Sequence, residues 1–176
     1  MHIVVLPAED ADMTELFDIC SLAFSKSEPA AWQIFYPNYW TEAGRKAGAE
    51  RYLKTKQSNA NAVYHKAMDT STGKVVGFSI WIVYRNRLLE YPAQLPQDSY
   101  WPNDEDAEYG RSVMSWNLQQ RSNYVKSVNG NTVHLSTLAV LPKHQRMGVG
   151  GKLMAWGLET ADQLGFCSFV ECSMAG

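Results

Sequence analysis

The run Gln145-Arg146-Met147-Gly148-Val149-Gly150-Gly151 puts three glycines and an arginine just ahead of an amphipathic stretch. Residues without a Cβ let a ligand approach the main chain closely. If a helix opens here, its first N–H groups lack intrahelical acceptors and lie at the positive end of the helix dipole. Such a row of donors suits an anion such as a pyrophosphate, with Arg146 and Lys143 adding charge. A dinucleotide loop requires G-x-G-x-x-G, which Gln145 to Gly150 does not supply. An ATP loop requires Ser or Thr after its Gly-Lys, and Leu153 follows Gly151-Lys152. The competing reading is a tight turn that only packs a helix against a sheet.

A second set of residues could move protons. His134, Ser136, Glu171 and Ser173 flank the glycine loop on either side in sequence. His134 has the intrinsic pKa of a base working near neutrality, although a strand histidine is commonly structural. Glu171 interrupts an apolar run. A carboxylate there is an acid–base group, the partner of a nearby cation, or a residue at a strand's open end. Cys172 has no base beside it in sequence, which argues against a covalent acyl carrier.

The elements that must position these groups follow from patterning. Thr132 to Leu141 alternates as a strand and becomes apolar on both sides, as in a buried sheet, and Pro142 ends it. From Val149 the helical period gathers Val149, Leu153, Met154, Trp156, Gly157, Ala161 and Leu164 on one face and Lys152, Glu159, Asp162 and Gln163 on the other, with Gly165 as C-terminal cap. Cys167 to Ser173 reads as a further apolar strand. Upstream, His2 to Leu6 reads as a strand and Ala8 to Ser25 as a helix with an acidic start. An aromatic cluster follows at Trp32, Phe35, Tyr36, Tyr39 and Trp40, broken by Pro37. Glu42 to Gln57 reads as a helix with a solvated basic face. Val63 to Met68 and Val75 to Val83 form a hairpin turning at Gly73. Residues 85–131 then hold three prolines, an acidic run and a helix over Ala107 to Val125.

Gln145, Gly148 and Gly150, between a strand ending LAVLP and an amphipathic helix followed by a second apolar strand, resemble the acyl-CoA motif of the GNAT superfamily of N-acetyltransferases. The resemblance implies an α/β domain with a mixed sheet (α+β), with 85–131 as an insertion. It implies that the backbone of Leu138, Ala139 and Val140 holds the pantetheine arm of acetyl-CoA. Gln145, Arg146, Met147, Gly148, Val149, Gly150 and Gly151 would form the pyrophosphate cradle. The acceptor would be a primary amine of a small molecule or peptide, attacking the thioester directly. Glu171, His134 and Ser173 are then the catalytic candidates. The part of the cluster between the first two helices would form a wall of the acceptor site.

Family members continue after the fifth strand with a helix bearing an acidic tyrosine and two more strands. The resemblance therefore implies a fold truncated after strand five, with a last strand open to pairing with a second copy as a homodimer. A non-catalytic CoA-binding module and an interaction scaffold are the alternative readings.

Composition sets the outer bounds. The 176 residues, with 45% hydrophobic and 19% charged side chains, suit one domain. A net charge of −2 without a basic run argues against a nucleic-acid partner. No stretch of about 20 apolar residues is available to span a membrane. Three unpaired-looking cysteines and the absence of a signal-like start lead to the expectation of a cytoplasmic protein without a metal centre.

Overall fold

The computed structural model describes residues 2–27, 29–89 and 101–172. Five strands form one sheet in the order β1 (Ile3–Pro7), β2 (Ala62–Asp69), β3 (Lys74–Tyr84), β4 (Thr132–Val140) and β5 (Cys167–Val170). All neighbours are antiparallel except β4 and β5, which run parallel. That parallel pair needs a crossover, and the helix α5 (Val149–Leu164) supplies it.

The opposite face carries α1 (Met13–Ser27), α2 (Pro29–Phe35) and α3 (Glu42–Ser58). The acidic start expected at Ala8 begins later, with a single 3-10 turn at Asp10–Asp12. The Ala8 N–H is still donated to the Tyr64 carbonyl at 2.9 Å, so the sheet holds the chain one step further. The aromatic cluster mostly forms core: Trp32 lies 4.4 Å from Tyr36 and stacks on Phe24 at 5.2 Å. Trp40 is the exception, 53% exposed. The basic face of α3 is partly tied down, with Arg51 donating to the Phe35 carbonyl at 2.7 Å and lying over the Tyr36 ring.

The segment between β3 and β4 contains α4 (Asp104–Ser127), longer at both ends than the apolar period indicates. Asn103 caps it by accepting the Asp106 N–H at 2.8 Å, and three acidic residues fill the first turn. Trp101 anchors this end by donating its indole N–H to the Ile34 carbonyl of α2 at 3.0 Å. The other end is clamped by an asparagine pair. Asn131 accepts the Asn86 backbone N–H at 2.9 Å and donates to the Asn86 side chain at 3.1 Å.

Simple alternation fails along β4. Ile80 pairs with Thr137 and Trp81 with Leu135, leaving Ser136 as the extra residue of a bulge. Val133 and Leu135 therefore share the α5 face with Leu138 and Val140, whereas Ala139 packs with the α1–α3 layer. On α5 the face is as the period indicates: Val149, Leu153, Gly157 and Ala161 are buried. Gly157 is required there, since a Cβ would come within 2.3 Å of the Trp81 indole. Lys152 departs from a purely solvated role, because its ammonium donates to the Ile3 carbonyl at 3.1 Å and ties α5 to β1. No helix among the described residues is long and apolar enough to cross a membrane.

Candidate active site

The loop after β4 is built by backbone geometry. Leu141 donates to the Val76 carbonyl at 2.9 Å, and Pro142–His144 form a 3-10 turn. Gln145 reaches back and donates its side-chain amide to the Val140 carbonyl at 3.1 Å, closing the loop on the strand it left. Arg146 and Gly148 then adopt left-handed conformations, φ +59° and +81°. Alternation of this kind turns successive N–H groups toward one concave side. Gly148 starts α5 without any side-chain cap, and the helix makes its first closure from the Lys152 N–H to the Gly148 carbonyl at 3.3 Å. The N–H groups of Val149, Gly150 and Gly151 are left as donors.

The cradle is open to its floor. A Cβ at Gly148 or Gly151 would meet nothing within 4 Å, and at Gly150 only the Leu138 side chain at 3.9 Å. The volume side chains would occupy is thus free for an anion's oxygens. Lys143 and Arg146 are exposed beside it.

The two strands part where the loop chemistry needs room. β4 and β5 are paired only from Thr132↔Cys167 to Leu135↔Val170. The bulge at Ser136 follows, and β4 continues to Val140 without its parallel neighbour. The expected strand over Cys167 to Ser173 is thus shortened to Cys167–Val170, because its partner has turned away. Main-chain groups of Leu138, Ala139 and Val140 on that side have no ladder partner in β5. Leu138 also lies against Gly150, so the two halves of the expected cofactor site are adjacent.

Glu171 follows directly on β5, at the parting. Its Oε2 accepts from Nε of Arg121 at 2.9 Å and also from Nη2 of the same guanidinium. His134 Nε2 lies 3.4 Å from that oxygen, longer than an aligned hydrogen bond. The imidazole has no exposed surface. It is stacked on Phe169 at 4.4 Å and 9°, and Tyr84 lies beyond it at 6.5 Å.

Burial pushes the His134 pKa below its ordinary value. Glu171 acts to raise it and Arg121 to lower it further, so the ring is neutral at neutral pH. For Glu171, burial works upward, but His134 and Arg121 outweigh it and hold the carboxyl below the usual range. The pair is therefore a carboxylate beside a neutral imidazole.

Ser173 lies outside the described residues. Ser136 sits half-buried in the bulge, and Cys172 is exposed. Arg121, which contacts the candidate Glu171, is the residue that sequence reasoning missed. A signal existed: Met114, Leu118, Arg121 and Val125 follow i, i+4, i+7, i+11, which places an arginine on the apolar stripe of α4.

The mixed sheet thus opens beside an uncapped, glycine-lined helix start. A model of the acetyltransferase (GNAT) family matches residues 32–175, and the chain belongs to that family. A search of curated proteins returned no match. Among solved structures, the chain is similar to a histone acetyltransferase HPA2-related acetyltransferase from Corynebacterium glutamicum. The TM-score is 0.54 at 20% identity, covering 92% of this chain and 72% of that one. A "possible acetyltransferase" from Clostridium difficile 630 gives a TM-score of 0.57 at 12% identity, covering 99% and 82%. AAC(6')-Iy, solved with the bisubstrate analogue CoA-S-monomethyl-acetylneamine, gives 0.50 at 14% identity, covering 99% and 82%.

Proposed function

We propose that the protein is an N-acetyltransferase that moves the acetyl group of acetyl-CoA to a primary amine of a small molecule or peptide. The observation that carries this reading is the open, glycine-lined start of α5 lying against the end of β4 that β5 does not pair among the described residues. Residues 145–151 would hold the pyrophosphate, and Leu138, Ala139 and Val140 the pantetheine arm. Acetyl-CoA, when bound, supplies a thioester carbonyl open to attack. The structural likeness to AAC(6')-Iy, which was solved with a CoA bisubstrate analogue, agrees with this choice of co-substrate.

Direct transfer forms one C–N bond and breaks one C–S bond, the attacking amine loses a proton, and CoA leaves as a thiolate that takes its proton from water. Glu171 is the group we assign to receive that proton, directly or through water, because it is ionised and sits at the parting. His134 has no surface to offer a substrate, so its part is to contact Glu171. Ser173 is proposed as a further polar contact for the acceptor. Unpaired main-chain N–H groups of the β4 edge would stabilise the oxyanion.

Calorimetry and thermal melting with acetyl-CoA test the reading. At a ligand concentration ~100 times Kd, linkage adds about 2.7 kcal/mol, which moves the midpoint upward by a few degrees. Absence of heat and of any shift in a folded sample overturns it. Chromatographic detection of released CoA with a panel of amines then separates catalysis from binding alone.

A further inference from the structure

The structure assigns Arg121, carried by the inserted helix α4, as a positioning residue that fixes the Glu171 carboxylate at the parting of β4 and β5. The inference rests on the acetyl-transfer reading above and adds to it a purpose for the insertion. Three observations support it.

Glu171 stands one residue beyond the last β4–β5 pair, where no ladder bond restrains it. Arg121 takes one oxygen of that carboxylate with two N–H groups, a fork that fixes orientation as well as charge. The guanidinium is itself aimed by its helix. Just beyond it along α4, the Ser122 hydroxyl donates to the Leu89 carbonyl at 3.2 Å, the Tyr124 ring packs 4.4 Å from Phe169, and Val125 is fully buried.

The second carboxylate oxygen has no hydrogen-bond partner among the described residues, which leaves it for the acceptor. The charged and titratable groups around Glu171 are Arg121 on α4, His134 on β4, Tyr84 on β3 and, through Tyr84, Arg87 after β3. Of these only Arg121 combines a fixed positive charge with direct contact. His134 presses on the same oxygen from the sheet side, so the carboxylate is held between helix and strand. Loss of either support frees the side chain to turn toward solvent, since Glu171 is itself partly exposed.

The experiment uses the full chain with Arg121→Gln, Arg121→Lys and Glu171→Gln, each first matched to the parent by thermal melting. Carbon-detected NMR of the glutamate carboxyls, with the Glu171 signal assigned from its loss in Glu171→Gln, reads the titration directly. Arg121→Gln is expected to move it upward toward the ordinary value, and Arg121→Lys to restore it. The pH profile of kcat with acetyl-CoA and an accepted amine is the second arm. Arg121→Gln should move its acid limb to higher pH and lower kcat by roughly 10- to 100-fold, the scale of a misplaced catalytic group. Arg121→Lys should recover only part of kcat, because it keeps the charge and loses the fork. A folded Arg121→Gln protein with an unmoved Glu171 titration overturns the assignment. A parent that binds acetyl-CoA yet acetylates none of the amines overturns the activity instead, while the titration still decides whether Arg121 grips Glu171.

Discussion

Gly150 and Lys152 stand two residues apart on the same helical turn, yet they should respond to substitution in opposite ways. A Cβ at 150 would meet only the Leu138 side chain, at 3.9 Å, so the backbone accepts a side chain there. An aspartate's charge lies at the positive end of the α5 dipole, where it favours the free helix and repels a phosphate. Gly150→Asp should therefore melt at or slightly above the parent temperature without ligand and lose acetyl-CoA binding in calorimetry. Lys152→Ala removes the tie to the Ile3 carbonyl and should cost about 1 kcal/mol in chemical denaturation, with binding retained. Retained binding in the aspartate variant would show that the loop is not a phosphate cradle. His134 sets a pH dependence of known sign. Its folded pKa lies below the ordinary value of about 6.5, so the unfolded chain takes up the proton first. The stability it contributes is complete above that value and is lost as pH falls toward the folded pKa. His65, whose pKa burial also lowers, adds to the same slope. The depressed Glu171 adds a further loss at lower pH, as its own folded pKa is crossed. Urea midpoints should accordingly rise between about pH 5 and pH 7, and His65→Gln should reduce the slope without abolishing it.

At the scale of elements, α5 lies close on β3 at Gly157, and the Ser79 hydroxyl donates to the Leu153 carbonyl at 3.2 Å. Gly157→Ala pushes a methyl into the Trp81 indole, whose N–H is already committed to the Leu153 carbonyl at 3.4 Å and whose ring is 1% exposed. Overpacking of this kind costs about 1–3 kcal/mol, and a urea melt of the variant should show it. A midpoint equal to that of the parent would mean that the helix can lift off the sheet at no cost. The same elements show what could be read from residue types alone. The strand, loop and helix from Thr132 to Gly165 were legible because each depends on local pattern: alternation, a proline stop, glycines at both helix ends, and a 3.6-residue period. The bulge at Ser136 was not, because it is a disagreement of register between β4 and β3 that neither strand carries by itself. The shortened β5 is a consequence of that bulge and was hidden for the same reason. The contact of Glu171 with Arg121 joins residues far apart in the chain, from a helix whose docking no local pattern fixes. The start of α4 was misjudged because its first turn is acidic and polar, although Asn103 and Asp106 carry a recognisable capping pattern.

Across the whole molecule, the sheet is closed by pairs of very different reach. β2 and β3 join through the short turn at Gly73, and β4, α5 and β5 follow one another through short connections. Between these two units lies the long segment 85–131, and the strands that weld them together, β3 and β4, flank it at Tyr84 and Thr132. The asparagine clamp brings the two ends of that segment side by side, so the chain leaves and re-enters the sheet almost at one point. What the clamp secures is a closed loop, and its cost falls on the route of folding. Closing a segment roughly three doublings longer than a tight hairpin costs about 2 kcal/mol more in chain entropy. The welding of β3 to β4 is therefore expected late, after each unit has formed. Pulse-labelled hydrogen exchange during refolding should find the β2–β3 amides protected before those that join β3 to β4. Asn131→Ala should raise the unfolding rate more than it lowers the folding rate, as for a contact made after the transition state. The helix α4 thus makes the joining of β3 to β4 depend on a long closure.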